Sequence, residues 1–353
     1  EINVGNTATD ADMTADIALS NAWTTPIGTS SVPFKGTFDG QNHAITGFDL
    51  TYDGGRQGLF GQTNGATIKN FSIGGTITAN GNGGKDSGVG VIAWAEASTI
   101  QNIHSSLTVD ATGSGLSNTH VGGVVGSLRQ SSSTGSTIDR CSFTGEMNGG
   151  SNKIDCFGCV VGYLHDNCVI SNCANYGTLT ITNTEGNSGG ILAYSWMTGT
   201  AKIENCLNVG SINCNKTTNG GGAIVGWLRS YDSNKLSNNY WLSGTGSQAY
   251  GGQTDGSNTA TEVTADQLAS GEVAYLLNGS VSGGTNWTQT IGTDANPSPI
   301  GSSIVRLAKT GCYTNLSVSD SKVQIGTAAD LVQFAKEINV GNTATDADMT
   351  ADI

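Results

Sequence analysis

Apolar residues recur along this chain in two ladders that share one long period. One ladder runs Ile68, Ile100, Ile138, Ile170, Ile203 and Leu236, and three positions on from each stand Phe71, Ile103, Cys141, Cys173, Cys206 and Asn239, stepping by 32 to 38 residues. The other precedes it: Gly58-Leu-Phe-Gly61, Gly90-Val-Ile-Ala93, Gly123-Val-Val-Gly126, Cys159-Val-Val-Gly162, Gly190-Ile-Leu-Ala193 and Ala223-Ile-Val-Gly226, stepping by 31 to 36 residues. Two independent ladders in one period mark a repeating structural unit. Within it the pattern alternates by two. Val124, Gly126 and Leu128 fall on one side and Val125 and Ser127 on the other, which is strand and not helix. Stacking like on like predicts an all-β fold, a right-handed parallel β-helix of about six coils, each advancing roughly 4.8 Å. A coil of 32–33 residues exceeds three short strands and tight turns, so loops are expected, as over 80–87 and 110–119.

Between the two interior rows an Asn recurs at 70, 102, 172, 205 and 238, with Arg140 as the exception. Asn tolerates a tight bend, and stacked amides can hydrogen-bond from coil to coil. The ends need covering, because an open solenoid end exposes unpaired strand edges. Two short helices are placed to do so. One is Thr327–Ile338, opened by Thr327-Ala-Ala-Asp330, and the other Thr264–Asn278, opened by Thr264 and Gln267 and interrupted at Gly271. Beyond it Trp287, Ile291, Ile304, Val305 and Tyr313 suggest a few antiparallel strands, a small C-terminal β cap.

Glu1–Ile17 and Glu337–Ile353 are identical over 17 residues. This predicts a tandem array in which one unit adjoins the next. The expected organisation is opening strands of the β-helix over 1–57, coils over 58–245, a C-terminal cap or small β module over 246–320, and the start of the next unit over 321–353. Adjacent copies of the unit are then the first expected partners.

Composition narrows the picture. Gly is 52 of 353 residues and charged residues are 12%, which suits tight turns in a β-solenoid. A net charge of −13 repels a phosphate backbone, so nucleic acid is not an expected partner. No apolar run reaches the roughly 18–20 residues of a membrane span.

Several runs then carry a resemblance. Ile325-Gly-Thr-Ala-Ala-Asp-Leu331, Asp16-Ile17, Trp23, Pro26-Ile-Gly28, Phe34-Lys-Gly-Thr-Phe-Asp-Gly40 and His43-Ala-Ile-Thr-Gly47 resemble the opening of bacterial surface β-helix modules. Gly58-Leu-Phe-Gly61 resembles the GLUG motif of such modules. Ala269–Asn278 followed by Trp287-Thr-Gln-Thr-Ile-Gly292 is similar to their tail. The resemblance implies a large secreted or wall-attached protein, hence an extracellular or cell-surface location, and implies no catalytic residue.

Candidate chemistry is sparse. A glycan-cleaving β-helix needs paired carboxylates or a metal with a base. Asp139 and Glu204 share a row but stand two coils apart, Glu146 stands alone, and His43, His104, His120 and His165 share no ladder position. Asp10, Asp12 and Asp16 have calcium-like alternation without a binding-loop frame, and read as a solvated turn. Cys156-Phe-Gly-Cys159 has no second pair, and Cys141, Cys173 and Cys206 read as packing thiols. No catalytic residue, metal site or cofactor is therefore expected. If Leu128 faces inward, the opposite row holds Trp94, Ser127, Tyr163, Tyr194 and Trp227, an aromatic stripe suited to sugar rings or a flat protein partner. Trp94, Tyr163, Tyr194 and Trp227 are the expected ligand-binding residues, with host or environmental glycans or surface proteins as partners. The expected function is a non-enzymatic structural repeat, forming a stalk, fibre or filament that serves adhesion. The alternative is a β-helix polysaccharide lyase or glycosidase, or a glycan-binding module.

Overall fold

The computed structural model is a right-handed parallel β-helix of about six coils. It describes residues 2–84, 86–113, 118–150, 156–182, 186–197, 199–215, 221–230, 235–253, 260–280, 284–290 and 293–299, then 317–319, 322–326, 330–331, 334 and 347–351. The chain divides into two compact units, Glu1–Thr261 and Glu262–Ile353.

In the first unit, strands on three faces stack coil upon coil. The broadest face begins with long strands, Thr37–Gly54, Thr67–Asn82 and Thr99–Ala111. Later coils break the same path into three, as in Thr137–Asp139, Ser142–Phe143 and Glu146–Gly149. Phe38, Ile68, Ile100, Ile138, Ile170, Ile203 and Leu236 stand in one register row. The five isoleucines are fully buried, and each contributes roughly 1.5–3 kcal/mol by leaving water. The expected interior ladder is therefore present. The expected loops are shorter than predicted, since strands run on to Asn82 and Ala111.

The Asn row has a backbone cause. Asn70, Asn102, Arg140, Asn172, Asn205 and Asn238 all lie in the left-handed region, with φ between 50° and 59°. Asn enters that region more readily than other residues with a Cβ. The side chains then bridge coils: Asn102 Nδ2 donates to Asn70 Oδ1 at 3.1 Å, and Asn238 Nδ2 to Asn205 Oδ1 at 2.7 Å. A second amide ladder lies inside the helix and went unpredicted. Asn175 Nδ2 donates to Asn208 Oδ1 at 2.8 Å, and Asn208 Nδ2 to Thr245 Oγ1 at 3.2 Å.

Two narrower faces complete each coil. One carries Arg56–Gln57, Ser87–Val89, Thr119–Gly122, Cys156–Gly158, Asn187–Gly189 and Gly221–Gly222. The other carries Phe60–Asn64, Ile92–Glu96, Val125–Arg129, Val161–Leu164, Leu192–Met197, Val225–Ser230 and Tyr250–Gln253. The corner between them is tight enough to need glycine. A Cβ on Gly123 would run into the Cys159 carbonyl and the Phe143 ring.

The first copy of the repeated segment belongs to the opening coil. Asp10 Oδ1 accepts from the Thr37 amide at 2.6 Å, and Asp16 Oδ1 from the Ala44 amide at 2.9 Å. The opening acids thus fasten one strand to the next. In the second unit, helices Ala265–Ala269 and Glu272–Leu277 form, the first with a reciprocal Thr264–Gln267 cap. Gly271 separates them with φ of 84°. Ala347–Met349, the second copy of Ala11–Met13, pairs in parallel with Val323–Ile325. Ile291, Ile304, Val305 and Tyr313 and most of the expected helix over 327–338 lie outside the described residues.

Candidate functional site

The outer surface where the two narrow faces meet carries the densest chemistry. Register sets three columns there. On the first face Arg56, Gly88, His120, Cys156 and Asn187 are successive partners. On the second face Gln62, Trp94, Ser127, Tyr163, Tyr194 and Trp227 are partners. Two residues further along, Asn64, Glu96 and Arg129 align, as do Trp196 and Arg229. Strand alternation turns all three columns outward, because Val121 and Phe157 on the first face and Leu128 and Leu164 on the second fill the interior.

The four predicted residues do stand in one column, but they do not form one open stripe. Trp94 is only 2% exposed. Arg56 lies 3.8 Å and Arg129 4.0 Å from the centre of its ring, and the indole N–H donates to Glu96 Oε1 at 2.8 Å. Trp94 is thus a platform for two cations and not a free face. Tyr163, Tyr194 and Trp227 are half-buried. Tyr163 and Tyr194 stack with centres 5.5 Å apart.

His120 reaches this column from the other face. Its imidazole stacks on Tyr163 at 4.5 Å and on Trp94 at 6.0 Å. His165 meets Tyr163 at 6.1 Å. Two histidines that share no ladder position therefore converge on one tyrosine, His120 from across the bend between the faces and His165 from the end of the tyrosine's own strand. Burial, seconded by the Arg129 charge, pulls the His120 pKa down to about 3, so the ring is neutral near pH 7. Its Nδ1 is buried with no hydrogen-bond partner. Burial raises the Tyr163 hydroxyl to about 12 and lowers both guanidinium pKa values, which leaves the arginines charged all the same. Beside Arg56 a pocket of about 250 Å³ opens, lined by Thr29, Ser30, Gly55, Arg56 and Asp86.

Sequence reasoning missed Arg56 and Arg129 and weighed His120 only as a residue outside the ladders. A signal for Arg129 was present: two residues after each column position stand Glu96, Arg129, His165, Trp196 and Arg229. Arg56 and His120 had none, since their column belongs to the neighbouring face.

Elsewhere, Ser142 Oγ lies 2.8 Å from His104 Nδ1, and His104 Nε2 lies 3.0 Å from Asn102 Oδ1. Asn102 spends its amide N–H groups on Asn70 and Asn42, so its oxygen faces His104. That arrangement places the imidazole proton on Nε2 and lets Nδ1 accept from Ser142. Ser142 is 4% exposed, which leaves its hydroxyl as a tie between coils and not a reachable nucleophile. Asp139 and Glu204 are separated by Ser171 in their row, as expected. Asp139 accepts from Ser171 Oγ at 2.9 Å and Asn172 Nδ2 at 2.7 Å and pairs with Arg140, a structural role the sequence did not reveal.

The seven described cysteines are free thiols. Cys159 is interior and Cys156 stands in the outer column, so the CxxC run is split between two environments. Burial raises the thiol pKa of Cys168 and Cys206 to about 12. Among the described residues no cluster of His, Cys, Asp or Glu could hold a metal ion, and no helix is long and apolar enough to cross a membrane.

No protein-family model and no curated protein matches the sequence. Solved structures do match by fold. One is named "putative immunoglobulin A1 protease from Bacteroides ovatus"; it superposes with a TM-score of 0.56 at 17% identity, over 85% of this chain and 89% of that one. Another, named IgA1 Protease, matches with a TM-score of 0.43 at 19% identity, over 67% of this chain and 20% of that one. At these identities the likeness is one of fold. A protein named a putative protease nevertheless has this β-helix fold, so the fold gives no ground for the expected purely structural, non-catalytic stalk or fibre, and that expectation is not kept. The resemblance drawn from the sequence stands at the level of the β-solenoid.

Proposed function

We propose that this β-helix engages the glycan chains of a substrate on behalf of a degradative protein, holding them along the column Tyr163–Tyr194–Trp227. The single observation that carries the reading is three half-buried rings in consecutive coils, in exact register, beside a cationic cluster. Ring faces take the apolar faces of sugars, and polar groups at the margin orient them. A peptide ligand is less suited. It gains affinity by adding to a free sheet edge, whereas these strands are paired on both sides.

The degradative half of the proposal is supported by the name of the Bacteroides ovatus structure of like fold, a putative immunoglobulin A1 protease. The extracellular location is supported by the resemblance to bacterial surface β-helix modules. The test is affinity electrophoresis of the chain through gels containing single polysaccharides, repeated with Tyr194→Ala and Trp227→Ala. Retardation by at least one polysaccharide, weakened about fivefold or more by each variant, is the expected outcome. Free migration through every polysaccharide would sink the reading.

A further inference from the structure

We infer that the Arg56–Trp94–Arg129 stack reads a sugar carboxylate, so that the glycan held in this groove is an acidic one, built of uronate or sialate units. The inference rests on the glycan reading above and names the class of sugar.

Two guanidiniums share one indole ring, at 3.8 and 4.0 Å from its centre. Each guanidinium carbon lies over the ring, and the five N–H donors of a guanidinium lie in its own plane, where they remain open to hydrogen bonding. Few of those donors are taken. Arg56 gives Nε–H to the Asp86 carbonyl and one terminal N–H to Gln62. Arg129 gives Nε–H to Ser127 Oγ at 2.9 Å. Neither arginine makes an ion pair with a described carboxylate. One adjoining acid, Glu96, is already bound to the Trp94 N–H.

Partly desolvated cations that Glu96 and Asp86 reach only from beyond ion-pair distance are costly, and an incoming carboxylate relieves part of that cost. A guanidinium fork matches a carboxylate with two parallel hydrogen bonds, which a sugar hydroxyl cannot reproduce. The imidazole of His120, 6% exposed with Nδ1 unpartnered, stands against the same indole. Being neutral and buried, it adds no charge that would compete with a sugar carboxylate for the arginines.

The pocket beside Arg56 adds position. Its wall includes Thr29, Ser30 and the exposed Asp86. Asp86 acts on Arg56 and Arg129 alike, so its charge opposes a carboxylate at either guanidinium and offsets part of their pull. In a chain of net charge −13, Arg56 and Arg129 balance Glu96 and Asp86 and make this patch locally neutral, so binding of an acid there depends on the arginines and weakens with salt.

The experiment is isothermal titration of the full chain with matched hexasaccharides, oligogalacturonate and α2,8-linked oligosialate, each against its methyl ester, with a neutral glucan hexamer as reference. The ester keeps every ring and removes the charge. We expect at least one free acid to bind about tenfold or more tightly than its ester. Arg129→Gln should erase that difference while leaving ester binding in place. Tyr194→Ala should weaken both forms. Asp86→Asn, at an exposed position, should tighten the acid alone, and it serves as the second readout should Arg129→Gln unfold. Equal binding of acid and ester overturns this inference and leaves the glycan reading standing. Binding of no hexasaccharide at all, the neutral one included, overturns both.

Discussion

The guanidinium of Arg129 lies over the indole of Trp94, 4.0 Å from its centre, on a ring that Arg56 also covers. An aromatic position that alternation turns outward is thereby as dry as a core residue, at 2% exposure. Trp94→Ala removes the surface shared by both arginines and leaves two partly buried cations without a support. The expected loss is about 3–5 kcal/mol, as for a buried aromatic truncation. It is checked by the urea midpoint at unchanged slope. Trp94→Phe, which keeps a ring, should recover more than half of the loss.

His120 gives the fold an acid limb. Its folded pKa, about 3, lies below the value of about 6.5 for a free imidazole. Below pH 6.5 the unfolded chain binds a proton that the folded chain refuses. The stabilisation is therefore complete above pH 6.5 and is lost as pH falls toward 3, by about 1.4 kcal/mol per pH unit. Burial lowers His104 and His165 as well, so they add to the same limb. In His120→Phe, the difference in unfolding free energy from the parent should change with that slope between pH 6 and 4. An unchanged difference across that range would show that His120 is hydrated.

Arg140 is the one bend residue of its row that is not Asn, at φ of 52°. Arg140→Asn should stabilise the fold by about 0.5–1 kcal/mol, because Asn accepts the left-handed bend more readily. The lost ion pair with Asp139 is partly exposed and offsets only part of this gain. A rise of a few degrees in the melting temperature is the expected reading, and a fall would refute the account.

Asp139 anchors the coil that follows it. Asp139→Ala removes the acceptor for Ser171 Oγ and Asn172 Nδ2, and should cost about 1–3 kcal/mol in thermal or urea unfolding. Glu204→Ala should stay within about 0.5 kcal/mol of the parent. Ile170→Asp, which puts a carboxylate into a fully buried row, should prevent folding altogether.

Free thiols report the same geometry. Six of the seven described cysteines are buried, and Cys214 is half-exposed. In a Cys312→Ser background, native protein should yield one fast equivalent to a thiol reagent, lost in Cys214→Ser. The others should react only after unfolding.

Much of this molecule was legible in its residues. The Ile row from 68 to 203 appears in the structure in the register its spacing implied. The Asn row marked the bend, although only the backbone revealed that all six positions, Arg140 among them, share a left-handed conformation. The aromatic column was legible for the same reason as the Ile row: one position per coil, one coil per period.

By itself, the sequence determined everything that depends on a residue and its own counterparts one coil away. Period, alternation, interior rows and the order of the outer column are all relations at a fixed separation along the chain, and a solenoid turns that separation into contact. The tertiary structure decided what happens between columns. Whether Trp94 is bare or covered depends on Arg56, which precedes the column position of its coil, Gln62, by six residues and belongs to another face, and on Arg129, one coil on and two residues out of row. His120 meets Tyr163 only because the corner at Gly123 folds one face toward the other. Side-chain reach across a bend leaves no period in the chain, so only the folded molecule could join these residues into one site.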